Sequence, residues 1–153
     1  MEDGDSWRIL GRILQENDQD QKSIPCFLNC LKHNPDNLDC LLSLGISCTN
    51  TLDEVKAMNF LKRWLMLNPK YQMKGIENII PEEMVNQATY KVDDIKRVND
   101  DLIKVFDEAA KMNPNDPELL SAGAILFFIK REYEVSIDLF NRALNLDPTN
   151  YLL

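Results

Sequence analysis

The sequence predicts an all-α protein built from helix pairs stacked side by side, and three observations predict it. Four stretches close on nearly the same words: Cys30-Leu-Lys-His-Asn-Pro35, Trp64-Leu-Met-Leu-Asn-Pro69, Ala109-Ala-Lys-Met-Asn-Pro114 and Ala143-Leu-Asn-Leu-Asp-Pro148. Their prolines lie 34, 45 and 34 residues apart, so the chain repeats itself with one longer step in the middle. A shift of 34 also lays Trp7 on Leu41, Leu10 on Leu44, Gly11 on Gly45 and Leu14 on Cys48, then Ser23 on Ala57, Phe27 on Leu61 and Cys30 on Trp64.

Each repeat reads as two helices. In the first, 4–37, Trp7, Leu10 and Leu14 stand at i, i+3 and i+7 and form one apolar stripe. Gly11 carries no side chain, which lets the second helix approach closely, and the small Ser23 does the same from the facing side. Phe27 fills the space between them. The Asn34-Pro35 step ends the second helix, because a residue before proline is pushed out of the α region. The second repeat, 38–70, restates this plan with Leu41, Leu44, Gly45, Ala57 and Leu61. Trp64 stands where the register expects a small residue, which predicts a local opening in the packing.

The third repeat, 71–115, is irregular. A helix from Ile95 to Met112 is clear, with Leu102, Phe106 and Ala109 in register, but Asn86, Thr89 and Tyr90 stand in the apolar and glycine slots of its partner. The stretch from Lys70 to Pro81 holds 11 extra residues, Gly75 and Pro81 among them, and reads as a variable insertion or as a hinge. The last repeat, 116–153, returns to the pattern with Leu120, Gly123-Ala124, Phe127, Ser136, Phe140, Ala143 and Pro148, and reaches the start of a further one. These slots resemble the tetratricopeptide pattern, a 34-residue helix–turn–helix unit. The resemblance implies a superhelix of about four helix pairs, the third irregular, whose first helices line a concave surface. One pair cannot bury its own apolar face, so neighbours must stack.

Composition narrows the function. The chain is 44% hydrophobic and 27% charged, enough to bury a core and unlike a disordered chain. With 17 basic against 25 acidic residues the net charge is -8, which argues against nucleic acid as partner, since phosphate binding concentrates Lys and Arg. Cys26, Cys30, Cys40 and Cys48 all fall in apolar patterns and read as reduced core residues. Cys26, Cys30 and His33 lack a fourth ligand at tetrahedral spacing, so no metal is expected. No signal peptide is legible, and the apolar run from Ala122 to Ile129 is far shorter than the roughly 18 residues of a membrane span. The lone His33 has no nucleophile arranged with it and no Gly-rich phosphate loop occurs, so neither catalysis nor a cofactor is expected.

Side chains one step off the packing stripe of each first helix are expected to face the groove. These are Asp5, Arg8, Arg12, Gln15 and Glu16, then Asp39, Leu42, Ile46, Thr49 and Asn50, and last Glu118, Ser121, Ile125, Phe128 and Ile129. Asn50 stands out, because an amide both donates and accepts and can grip the backbone of an extended peptide. The bland alternative makes it a helix cap that tolerates left-handed geometry. The run from Glu16 to Asp20 puts three carboxylates in five residues; it reads as a solvated turn, or as bait for a basic side chain at the groove mouth.

Several phrases occur together in one family and in this order. They are Trp7-Arg-Ile-Leu-Gly11 with Glu16-Asn-Asp-Gln-Asp20, Asn37-Leu-Asp-Cys-Leu-Leu with Ser47-Cys-Thr-Asn50, Trp64-Leu with Asn68-Pro-Lys-Tyr71, and Gly123-Ala-Ile-Leu-Phe127 with Asp147-Pro-Thr-Asn-Tyr-Leu-Leu153. In these the chain resembles the receptors for type 1 peroxisomal targeting signals, which read a C-terminal Ser-Lys-Leu address. The family's distorted middle repeat matches the 45-residue step. A brain paralogue that regulates cation channels shares the same repeats.

The resemblance implies a cytoplasmic receptor that cycles to the peroxisomal membrane, binds cargo proteins through their targeting signal, and meets docking proteins through other parts of a longer parent. It implies that Asn50, with Thr49 and Ile46 beside it, holds the peptide, and that Asp18 and Asp20 sit near the ligand's basic side chain. Family members often carry Glu after that Asn; this chain has Thr51. The family continues past Tyr-Leu-Leu with two further repeats that supply most of the carboxylate clamp. A chain closing at Leu153 is therefore expected to form one wall of the site, to bind the signal weakly alone, and to self-associate. A generic repeat scaffold or co-chaperone is the other class weighed; a clamp for an acidic tail needs groove cations, and only Arg8 and Arg12 qualify.

Overall fold

The computed structural model describes residues 3–71, 76, 79 and 91–149, and these hold seven helices and no strand. The chain divides into two compact units, one ending at Asn68 and the other beginning at Pro69.

The first unit contains α1 (Gly4–Glu16), α2 (Asp20–His33), α3 (Leu38–Asn50) and α4 (Glu54–Leu67), each packed on the next. Their starts are written in the sequence. Asp3 accepts from the Asp5 N–H, Asn37 from the Cys40 N–H and Asp53 from the Lys56 N–H, each satisfying a donor that the helix leaves open. Inside each pair the helices close tightly: a β-carbon on Gly11 would stand 2.7 Å from the Phe27 ring, and one on Gly45 would stand 2.9 Å from Leu61 Cδ2. Phe27, Leu41, Leu44, Ala57 and Leu61 are fully buried. Trp64 too is fully buried, and its bulk lies inside the core. All four cysteines are buried and unbridged, and burial pushes the Cys48 thiol up to about 12, with the nearby Asp53 charge adding to it.

The second unit contains α5 (Val92–Met112), α6 (Pro117–Ile129) and α7 (Tyr133–Leu146). The helix foreseen from Ile95 begins three residues earlier. Asp116 caps α6, accepting from the N–H groups of Glu118 and Leu119, and its other oxygen takes the Tyr71 hydroxyl at 2.5 Å. Burial, with that carboxylate beside it, pushes the Tyr71 phenol well above its ordinary value. Helix α6 packs between α5 and α7 and is buried almost all round, as its unbroken apolar composition requires. Ser136 reaches back from α7 to the Ala124 carbonyl at 2.7 Å. The irregular half of the third repeat, with Asn86, Thr89 and Tyr90, and most of the insertion, with Gly75 and Pro81, lie outside the described residues.

Three turns share one geometry. Asp18, Leu52 and Arg131 have φ of 58°, 64° and 69°, in the left-handed region, at equivalent register positions. Each ends its helix with the same pair of bonds: Gln19 N–H to Leu14 carbonyl, Asp53 N–H to Cys48 carbonyl and Glu132 N–H to Phe127 carbonyl close six-residue loops around the shorter bonds.

Candidate functional site

In the first unit three helices meet where α1 ends, α2 begins and α3 runs towards its C-terminus. Gln15, in the last turn of α1, is only 5% exposed. Its Nε2 donates to the Ser43 carbonyl at 2.9 Å and to Ser47 Oγ at 2.7 Å, both on α3. Ser47 is fully buried, and its Oγ donates in turn to Asp20 Oδ1 at 2.7 Å. Asn50, one turn further along α3, donates from Nδ2 to Asp20 Oδ2 at 3.2 Å. Ser23 Oγ donates to the Asp20 carbonyl at 2.8 Å and lies 3.0 Å from Ser47 Oγ. A chain of hydrogen bonds therefore climbs from the core, through a half-buried carboxylate, to an exposed amide.

Local sequence explains the placement. Asp20 opens α2, where a carboxylate faces the positive end of the helix dipole. Ser43, Ser47 and Asn50 recur at i, i+4 and i+7, so they share one face of a helix that is otherwise mostly apolar. Helix α3 ends with Thr51 as its cap and Leu52 as the left-handed residue, so Asn50 has no capping duty. Among the described residues its second amide hydrogen and its oxygen take no partner, which leaves them able to meet a ligand, and the Asp20 carboxylate, with about four lone-pair sites, keeps room for a cation.

The other named positions differ. Ile46 is half-buried and offers an apolar wall one turn before Asn50. Thr49 is buried, and its hydroxyl donates to the Gly45 carbonyl at 2.8 Å, which commits its one proton within the helix. Asp18 is exposed in the turn and stands outside the bonded network. Gln15, assigned to the groove by its spacing, is instead buried within the junction. Ser121, Ile125 and Ile129 of the last set are also buried, and Phe128 is half-buried with its ring edge-on to Tyr133. On the same side of α1, Arg8 bridges Asp39 at 3.2 Å and Asp5 at 3.6 Å, so its charge is already answered by carboxylates. Sequence reasoning missed Ser47 and Gln15 as partners; the signal was there in Ser43 and Ser47, two hydroxyls one turn apart in a buried stripe, which burial obliges to find partners.

No family model matches the chain. Curated proteins do. The chain is 33% identical over 139 residues to peroxisome biogenesis protein 5 of Arabidopsis thaliana, covering 91% of this chain and 17% of that protein. It is 32% identical over 153 residues to the PEX5-related protein of Mus musculus (99% and 27% covered) and 27% identical over 153 residues to the peroxisomal targeting signal receptor of Candida albicans (97% and 25%). The chain thus spans about a quarter or less of the length of these relatives. Among solved structures, a thermophilic tetratricopeptide protein of Thermus thermophilus matches with a TM-score of 0.58 and 17% identity, over 97% of this chain and 77% of that one. That likeness concerns the fold alone.

Proposed function

The chain is a homologue of the peroxisomal targeting signal receptors and the PEX5-related proteins, with a tetratricopeptide fold, and from that premise we propose that it is a binding module and not a catalyst, whose first unit helps hold C-terminal Ser-Lys-Leu type signals of cargo proteins. In this reading Asn50 grips the extended peptide backbone, Asp20 with Asp18 nearby attracts the basic side chain, and Ile46 lends apolar surface. Capture of a free C-terminal carboxylate is a recurrent recognition mode. The observation that carries the reading is the exposed Asn50 amide, free of capping duty and bonded to the Asp20 carboxylate. Among the described residues no helix is long and apolar enough to cross a membrane. Capture in the cytosol, with the receptor cycling to docking proteins at the peroxisomal membrane, belongs to the same proposal.

Titration with a peptide ending in Ser-Lys-Leu tests it. Asn50→Ala should weaken binding roughly tenfold, the loss of one or two peptide hydrogen bonds in a desolvated site. Unchanged affinity would return Asn50 to a structural role. In a second reading, which rests on the resemblance to the channel-regulating paralogue, the same site serves a partner other than cargo. An amidated peptide that competes as well as the free acid would favour that one. An acidic-tail clamp of the co-chaperone kind is disfavoured by the carboxylates already on Arg8.

A further inference from the structure

Both oxygens of Asp20 are engaged, but by unequal partners. Asn50 is exposed and its bond is 3.2 Å; Ser47 is fully buried and its bond is 2.7 Å, the length of a strong charge-assisted contact. A serine hydroxyl has one proton and can swing, so what fixes its direction matters. Gln15 Nε2 donates onto Ser47 Oγ at 2.7 Å, and the same nitrogen is anchored on the Ser43 carbonyl, which settles which end of the amide faces the serine. The Ser23 proton has the Asp20 carbonyl to go to. The Ser47 proton is therefore left with the carboxylate as its best acceptor. Among the described residues Gln15 Oε1 is buried with no hydrogen-bond partner, a cost borne while its nitrogen holds two acceptors.

We propose that Ser47, held by Gln15, is the positioning residue that aims the Asp20 carboxylate and so sets the site's preference for a basic side chain in the bound peptide. The inference rests on the roles given to Asn50 and Asp20 above and divides the work between them. Asn50 is the partner that leaves: turning onto a peptide, it gives up one long bond. Ser47 is the partner that stays, so the carboxylate keeps its direction when the amide moves. Without Ser47 the carboxylate would rotate into water, where its pull on a neighbouring ammonium is screened.

Two peptides, one ending in Ser-Lys-Leu and one in Ser-Gln-Leu, are titrated against the chain and its variants by NMR shift changes, which read affinities down to about millimolar. The unaltered chain should favour the lysine peptide roughly tenfold, the worth of one charged hydrogen bond. Ser47→Ala should cut that preference to about threefold or less while binding of the glutamine peptide stays within about twofold. Ser47→Thr, which keeps the hydroxyl, should restore it. Gln15→Met should lower it part-way, and decides the matter if Ser47→Ala fails to fold. A preference lost in Asp20→Asn but intact in folded Ser47→Ala overturns the positioning role and leaves the site reading standing. Equal loss of both peptides in folded Ser47→Ala makes Ser47 merely structural and also overturns it. No preference in the unaltered chain, or no binding of either peptide, overturns the site reading and this inference together.

Discussion

The junction of α2 with α3 and that of α5 with α6 occupy the same register, one 34-residue and one 45-residue step apart, yet they end in different chemistry. At the first, Asp20 faces Ser47 and Asn50 and the bonds run out to solvent. At the second, the matching residues are Asn99, Leu126 and Ile129. Asn99 is 2% exposed and donates to the Leu126 carbonyl at 3.0 Å, while Ile129, in the place of Asn50, is buried. The phenylalanines differ too. Phe27 lies against Gly11 of the preceding helix, whereas Phe106 lies against Gly123 of the following one. The sequence accounts for it, since Tyr90 holds the register slot of Gly11 and Gly123 holds that of Leu44. Each ring rests on whichever neighbour lacks a side chain. The repeat supplies backbone; a few slots decide whether a junction becomes a site or a seal.

If the second junction is a seal, breaking its close approach should be the costliest change. In Gly123→Ala the new carbon would stand 2.3 Å from Phe106 Cζ and 2.7 Å even from Cε1, and a packed ring cannot step aside. We expect a loss of about 3 kcal/mol in urea denaturation. Gly45→Ala meets Leu61 less closely, at 2.9 Å from Cδ2 and 3.1 Å from Cγ, and should cost about 1 kcal/mol. Equal losses would mean that the two approaches are alike after all.

Replacing a buried polar group of the seal should help it. Among the described residues Asn99 Oδ1 is buried without a hydrogen-bond partner, and the Leu126 carbonyl also accepts from the Lys130 N–H at 3.1 Å. Asn99→Leu therefore removes an unsatisfied acceptor without stranding the carbonyl, and should gain about 1 kcal/mol. A loss would show that the amide bond across the junction outweighs its orphaned oxygen.

The repeat and the helix stops were legible because Asn-Pro steps are written in local chemistry; the caps Asp3, Asn37, Asp53 and Asp116, which start helices, are equally local signals that the repeat register does not report. The candidate site was only half legible. Asn50 and Asp20 could be named, but not their bond, which needs the ends of two helices to meet. Gln15 was read as facing the groove because spacing along α1 reports the face turned to α2 and not the further face that α3 covers.

The left-handed turns were not legible at all, since none of Asp18, Leu52 and Arg131 is glycine, and they allow the finest test of how far backbone and side chain are separable. If the repeat dictates the turn whatever residue fills it, the residue that tolerates it worst should gain most from glycine. Leucine is that residue. It is 77% exposed at φ 64°, so removing it sacrifices little burial, while left-handed geometry costs an L-residue about 1–2 kcal/mol. Glycine returns part of that through its freer unfolded chain, about 0.5–1 kcal/mol, so Leu52→Gly should stabilise the first unit by about 0.5 kcal/mol. Aspartate visits this region more readily, so Asp18→Gly should change stability by about zero. Measured side by side in thermal melts, a gain at Leu52 with none at Asp18 assigns the strain to the side chain; destabilisation at Leu52 would mean that the exposed leucine makes contacts worth more than the strain it bears.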